Sequence, residues 1–215
     1  MVASPSRRCR RSAHALPGGI VSQLVRALTK IDSELRGLGH KFALVGGLAV
    51  TLRAEPRFTQ DADLAVSVTT DSEAEALVGA LRQVGYELKA VVEQEATGRM
   101  ATVRLTGAGR FIVDLLFASS GIEPEIVAAA TSLTVLPGLS MPVASVGHLI
   151  AMKLLSTDER RPNDRADLVQ LAAVATDNDW IVASQSVELI SQRGYSRGRD
   201  LLVGLSNLRR DGTYS

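Results

Sequence analysis

The chain predicts an α/β (α+β) fold in which strands and helices interleave as far as residue 121, followed by a helical C-terminal part. Two patterns carry this reading. Short apolar runs bounded by glycine or polar clusters, such as FALV and FIVDLLF, have the length and composition of strands. Between them, and almost throughout after Gly121, apolar residues recur every three or four positions, which is the spacing of amphipathic helices. The change at residue 121 is a shift in composition without a linker. The expected organisation is therefore a basic tail over residues 1–18, a core over 19–121 and a helical part over 122–215 packed on that core.

Each element has a local cause. Ile20, Leu24, Leu28, Ile31 and Leu35 form one helical stripe, which Gly37 and Gly39 bring to an end. Phe42 to Val45 is a strand, Gly46-Gly47 a turn, and LAVTLRAE a brief helix stopped by Pro56. Asp61 to Val68 is the next strand. Thr70 followed by Glu73 reads as a capping box that opens a helix finishing at Gly85. Tyr86 to Val92, Met100 to Leu105 and Phe111 to Phe117 are strands, the last two joined by the turn TGAGR. Beyond Gly121 one strand-like interruption, SLTVLPGLSMPV, precedes a helix capped by Ser145 and running to about Ser156. Further helices are expected over Asp164 to Ala175, around Trp180 to Ser191 and around Asp200 to Arg210.

Composition excludes several classes. With 46% hydrophobic and 22% charged residues and a net charge of +1, the chain can bury a core, and no global basicity announces a nucleic-acid partner. The single cysteine, Cys9, rules out a disulfide framework or a cysteine-based zinc site and suits a reducing cytoplasm. No apolar stretch approaches the roughly twenty residues of a membrane span. The tail MVASPSRRCRRSAHALPGG has four arginines, no acid and no long apolar region, and is expected to be a disordered basic tail.

The chemistry concentrates in acidic residues. Asp61 and Asp63, two apart on a strand, point to one face, and like charges that close are costly unless a divalent cation lies between them. Hard oxygen ligands suit Mg²⁺. Asp114 interrupts a run that is apolar on both faces, where an isolated carboxylate would cost several kcal/mol to desolvate. A cation shared with Asp61 and Asp63 removes that cost. Gly46 and Gly47, between a strand and a helix, allow backbone to approach a phosphate that the helix N-terminus favours. Arg57 and Thr59 precede the acidic pair and are candidates for phosphate or metal-water contacts. Lys153 falls on an apolar helical stripe, from which it can reach a triphosphate, while His148 is read as structural. Asp164 and Asp167 share a helix face near Arg160, Arg161 and Arg165. Arg193, Arg197, Arg199, Arg209 and Arg210, with Tyr195 among them, form a candidate nucleic-acid surface.

A glycine turn, a DxD pair and a later third aspartate together resemble the DNA polymerase β-like nucleotidyltransferase superfamily. The segment HLIAMKLLSTDERRPNDRADLVQL resembles the lysine helix and aspartate-rich helix of its AbiEii toxin family, which includes the MenT-type toxins. The similar stretches span roughly residues 40 to 175. The resemblance implies a nucleotidyltransferase fold, with a mixed β-sheet flanked by helices and a helical C-terminal part. It also implies Mg²⁺-dependent transfer of a nucleoside monophosphate from an NTP, with the 3′ end of tRNA as acceptor in MenT-type members, and often pairing with an antitoxin. By motif, Asp61, Asp63 and Asp114 would bind metal and Lys153 the triphosphate, with Asp164 or Asp167 completing the site. Many members carry Gly-Ser where this chain has Gly46-Gly47, so one phosphate-holding hydroxyl is absent. The alternatives are transfer to a small molecule such as an aminoglycoside, transfer to protein hydroxyls, or a non-catalytic RNA- or antitoxin-binding module.

Overall fold

A computed structural model of the protein describes residues 18–55, 59, 61–107, 110–157 and 162–212. Its framework is a seven-stranded mixed sheet. In chain order the elements are α1 (Gly18–Gly37), β1 (Phe42–Val45), α2 (Gly46–Arg53), β2 (Asp61–Val66), α3 (Asp71–Gln83), β3 (Glu87–Glu93), β4 (Met100–Thr106), β5 (Ile112–Leu116) and α4 (Glu123–Ala128). They continue with β6 (Thr131–Leu136), β7 (Leu139–Val143), α5 (Val146–Ser156), α6 (Pro162–Val174), α7 (Asp177–Gln192) and α8 (Leu201–Asp211).

The strands lie in the order β3-β4-β5-β2-β1-β7-β6. Parallel pairing joins β2 to β5 and β1 to β7, and the other neighbours are antiparallel. The central strands are the apolar runs. All four residues of β1 are buried, as are Ala62, Leu64, Ala65 and Val66 of β2 and Val113 to Leu116 of β5. A strand covered on both faces needs apolar residues at every position, which is why these runs do not alternate. By contrast, every residue of the edge strand β3 is exposed.

Two local expectations change. Gly46 and Gly47 do not form a separate turn; they are the first turn of α2 itself. The single interruption expected at SLTVLPGLSMPV is a hairpin of two strands, with Gly138 at φ 81° in its turn. Its strand β7 lies parallel to β1, Leu44 opposite Val143, so that this hairpin completes the sheet. Pro137-Gly138 marks the reversal, and the register follows from the turn that these residues require. Arg53 at the end of α2 ties the junction together. Its guanidinium donates to the carbonyls of Val143 and Ala144, each at 2.9 Å, and to the Thr131 hydroxyl at 2.7 Å.

The helix caps follow the sequence, except that Glu73 closes its half of the expected box on the Thr69 amide at 2.8 Å and not on Thr70. Thr70 accepts from the Glu73 amide at 3.2 Å, and Ser145 accepts from the amide of His148 at 3.4 Å. Asp200 accepts from Val203 at 3.0 Å. Thr176 and Asp179 form a full capping box that starts α7 before the expected position near Trp180. No helix of the described residues is long and apolar enough to cross a membrane.

Candidate active site

β2 carries Asp61 and Asp63 two residues apart, and β5 lies parallel beside it with Asp114 in register opposite Asp63. Residues paired across neighbouring strands project to the same face, so the register alone gathers three carboxylates. Each offers an oxygen within 4.8 Å of the others. On the other side of β2, Val45 pairs with Asp63, which brings the following residue, Gly46, over the Asp63 carboxylate. Gly46 has φ 63°, and a Cβ there would collide with Oδ2, Cγ and Cβ of Asp63, the last at 2.8 Å. The N-terminus of α2 therefore reaches the acidic cluster because residue 46 has no side chain. No side chain caps that terminus, and a helix N-terminus favours an anion.

Asp114 is not the isolated carboxylate expected from its apolar run. β4 is antiparallel to β5, and Arg104 lies opposite Asp114. Nε of Arg104 donates to Oδ1 at 2.8 Å and Nη2 to Oδ2 at 2.6 Å, a bidentate pair. Arg104 is the main site residue that sequence reasoning missed. The signal was present, since counting outward from the TGAGR turn that joins the two strands places residue 104 across from residue 114.

Lys153 and the two downstream aspartates form a second charged group beside the first. Lys153 Nζ lies 2.5 Å from Asp164 Oδ1 and 2.7 Å from Asp167 Oδ2, and all three residues are buried. Ser156 donates its hydroxyl to the other Asp164 oxygen at 3.0 Å. Both aspartates thus hold the lysine, and they differ in access: Asp164 lines the cleft, whereas Asp167 is wholly buried beneath it. Lys153→Met would leave two carboxylates facing each other without their cation. We expect it to destabilise the protein by roughly 3–5 kcal/mol in urea denaturation at neutral pH.

A cleft of about 1080 Å³ joins the two groups. Its floor is Gly46, Gly47, Asp61, Asp63, Asp114 and Arg104, and Lys153, Ser156, Asn163 and Asp164 form one wall. The opposite wall is β3 with the residues after it, including Glu93 and Glu95, and Arg197 stands at the edge. Thr59 also faces the cleft, but its hydroxyl donates to Asp61 Oδ1 at 2.8 Å, so that it positions the carboxylate. Arg57 lies outside the described residues, as do Arg160, Arg161 and residues 1–17. His148 is buried and bonds Ser145 through Nδ1 at 2.8 Å, away from the cleft lining.

Each of the C-terminal arginines has a partner within the protein, Arg197 the Ser119 carbonyl among them. Arg193 pairs with Glu125 at 2.6 Å, Arg209 with Asp177 at 3.3 Å and Arg210 with Asp211 at 2.9 Å. Arg199 donates to the Thr157 carbonyl, and Tyr195 is buried against Gly121.

Burial, followed by the charges of Asp61 and Asp114, pushes the Asp63 carboxyl up to about 7, against the opposing pull of Lys153 and Arg104. A raised folded value means that the native state holds this proton where the unfolded chain has released it. Stability is then fully present below the ordinary 3.8 and is lost as pH rises toward about 7. In chelator, the stability of wild type relative to Asp63→Asn should therefore fall between about pH 4 and pH 7, measured by denaturant titration at each pH. The cluster fits a divalent cation for the same reason: three hard oxygen donors converge with more negative charge than the protein around them neutralises.

Among solved structures, the chain is similar to an antigenic nucleotidyltransferase-like protein from Paracoccidioides brasiliensis. That match has 20% identity and a TM-score of 0.49 over 89% of this chain and 94% of that one. A solution structure of the antibiotic-resistance factor ANT(2″)-Ia is similar at 17% identity and TM-score 0.48, covering 87% and 90%. A third, described as a nucleotidyltransferase from Thermotoga maritima, has 16% identity and TM-score 0.47, covering 67% and 89%. No curated protein matches the chain. The family model described as nucleotidyl transferase AbiEii toxin, type IV toxin–antitoxin system, matches residues 31–212.

Proposed function

Starting from a chain that belongs to the AbiEii nucleotidyl transferase toxin family, and is therefore a nucleotidyltransferase, we propose that it transfers a nucleoside monophosphate from an NTP to the 3′ end of tRNA. The observation that carries this reading is the convergence of Asp61, Asp63 and Asp114 beneath the uncapped N-terminus of α2. A cation site and a phosphate site side by side are what a polyphosphate requires. The cleft, at about 1080 Å³, exceeds the roughly 300–1,000 Å³ of ordinary small-molecule pockets and leaves room for an acceptor beside a nucleotide.

In this reading Asp61, Asp63 and Asp114 hold Mg²⁺, which when bound neutralises charge on the reacting phosphate and on the departing oxygen. The amides of Gly46 and Gly47 hold the phosphates, and Thr59 keeps the Asp61 carboxylate turned inward. Asp114 orients the acceptor hydroxyl and receives its proton as the oxygen bonds to the α-phosphorus. The bond from that phosphorus to the bridging oxygen breaks, and pyrophosphate leaves. Lys153, fixed by Asp164 and Asp167, offers its third N–H to the leaving group. The setting is the cytoplasm, where the nucleotide and the acceptor are available, and the toxin has a cognate antitoxin.

One observation favours a second acceptor class. Glu93 and Glu95 on the β3 wall suit a cationic small molecule such as an aminoglycoside. Incubating the purified protein and Mg²⁺ with each labelled NTP and either total RNA or a panel of aminoglycosides separates the two. Label in the tRNA band supports our reading; label on the small molecule with none on RNA replaces it; no label on either rejects it.

A further inference from the structure

The acidic cluster already contains a cation, and that cation belongs to the protein. Arg104 closes both of its donors on Asp114, one on each carboxylate oxygen, at 2.8 and 2.6 Å. The oxygens that Asp114 can offer to a metal are the oxygens the guanidinium holds. Asp61 is bonded by Thr59, a neutral donor, and Asp63 faces Gly46. Among the described residues, Asp114 is the one of the three that carries an ion pair. The environments of the two paired groups differ as well: the Asp114 side chain is 8% exposed, the Arg104 side chain 48%. The acid is fixed in the floor, while the guanidinium, released from it, remains in the open cleft where a phosphate would lie.

We propose that Arg104 is a positioning residue that occupies Asp114 in the cation-free enzyme and competes with the divalent cation for it. It thereby keeps the metal site closed until a ligand with phosphate draws the guanidinium away. The inference rests on reading the three aspartates as a cation site. Its consequence is that cation alone binds weakly, and that a phosphate ligand which takes the arginine strengthens cation binding by the same factor as the cation strengthens its own, because coupling between two ligands is reciprocal. Arginine suits the role better than lysine because its planar fork blocks both oxygens at once, where an ammonium is a single point charge.

The experiment is calorimetric titration of Mn²⁺, without nucleotide, into the full chain as wild type, Arg104→Lys, Arg104→Gln, Asp114→Asn, and the double variant of Arg104→Lys with Asp114→Asn. Arg104→Lys preserves the charge and opens one oxygen, so Mn²⁺ affinity should rise by about threefold, and in Arg104→Gln by roughly five- to tenfold. A residue that merely supported the fold would move affinity in the opposite direction. The gain from Arg104→Lys should vanish in the Asp114→Asn background, where the contested oxygen pair is gone. Equal affinity in wild type and Arg104→Lys, with a gain in Arg104→Gln alone, would show a simple effect of net charge and overturn the proposal. Unchanged or weaker affinity in both Arg104 single variants would overturn it too. If Mn²⁺ binds to none of the five proteins, the cation-site reading fails and takes this inference with it; if wild type binds and the two Arg104 single variants do not differ from it, only this inference fails.

Discussion

Asp63→Asn should lower nucleotidyl transfer by about three orders of magnitude or more while leaving the fold intact. The substitution keeps the shape of the side chain and removes the charge around which the cluster is built. Because burial and the neighbouring acids already favour the neutral form of Asp63, the amide introduces no new penalty. In chelator at pH 8 the variant should be at least as stable as wild type. Labelled-NTP incorporation beside thermal denaturation checks both halves, and undiminished transfer would reject this cluster as the reaction centre.

Gly46→Ala should damage both the fold and the site with a single methyl group. At φ 63° an L side chain is strained by roughly 1–2 kcal/mol. The added carbon would also be driven into the Asp63 side chain as far as its Cβ, which is fixed by its own strand. We expect a total loss of about 2–4 kcal/mol in denaturant titration and at least a hundredfold loss of transfer, since α2 and the carboxylate must separate. Gly39→Ala provides the control. It has φ 78° with no heavy atom near the new carbon, so it should cost the strain alone and leave transfer unchanged.

Much of this was legible in the sequence because the site is built on strands. A two-residue period needs no tertiary knowledge to place Asp61 and Asp63 on one face, and the apolar run around Asp114 marked β5 as central. What composition and periodicity do not supply is neighbourhood. Arg104 reads as one outward polar residue of MATVRLT until the TGAGR turn is used to set the register that pairs it with Asp114. Tyr195 and the arginines around it read as a surface by composition, whereas Tyr195 is buried against Gly121 and Arg193 pairs with Glu125 of a distant element. The hairpin after Ala130 was read as one interruption because each strand is short and Pro137-Gly138 is a two-residue reversal. Lys153 with Asp164 and Asp167 lay between these cases: helical spacing put them on faces that could meet, but not which acid would line the cleft.

The pairing of β1 with β7 has a consequence for the chain during synthesis. Leu44 finds its parallel neighbour only when Val143 has been made, and Lys153 is held by acids farther on still. Contacts of such long sequence separation form slowly and late. An N-terminal fragment still on the ribosome carries both DxD aspartates and lacks the lysine helix that walls them in. The cleft between the acidic cluster and the lysine helix is therefore complete only once the last third of the chain has been made.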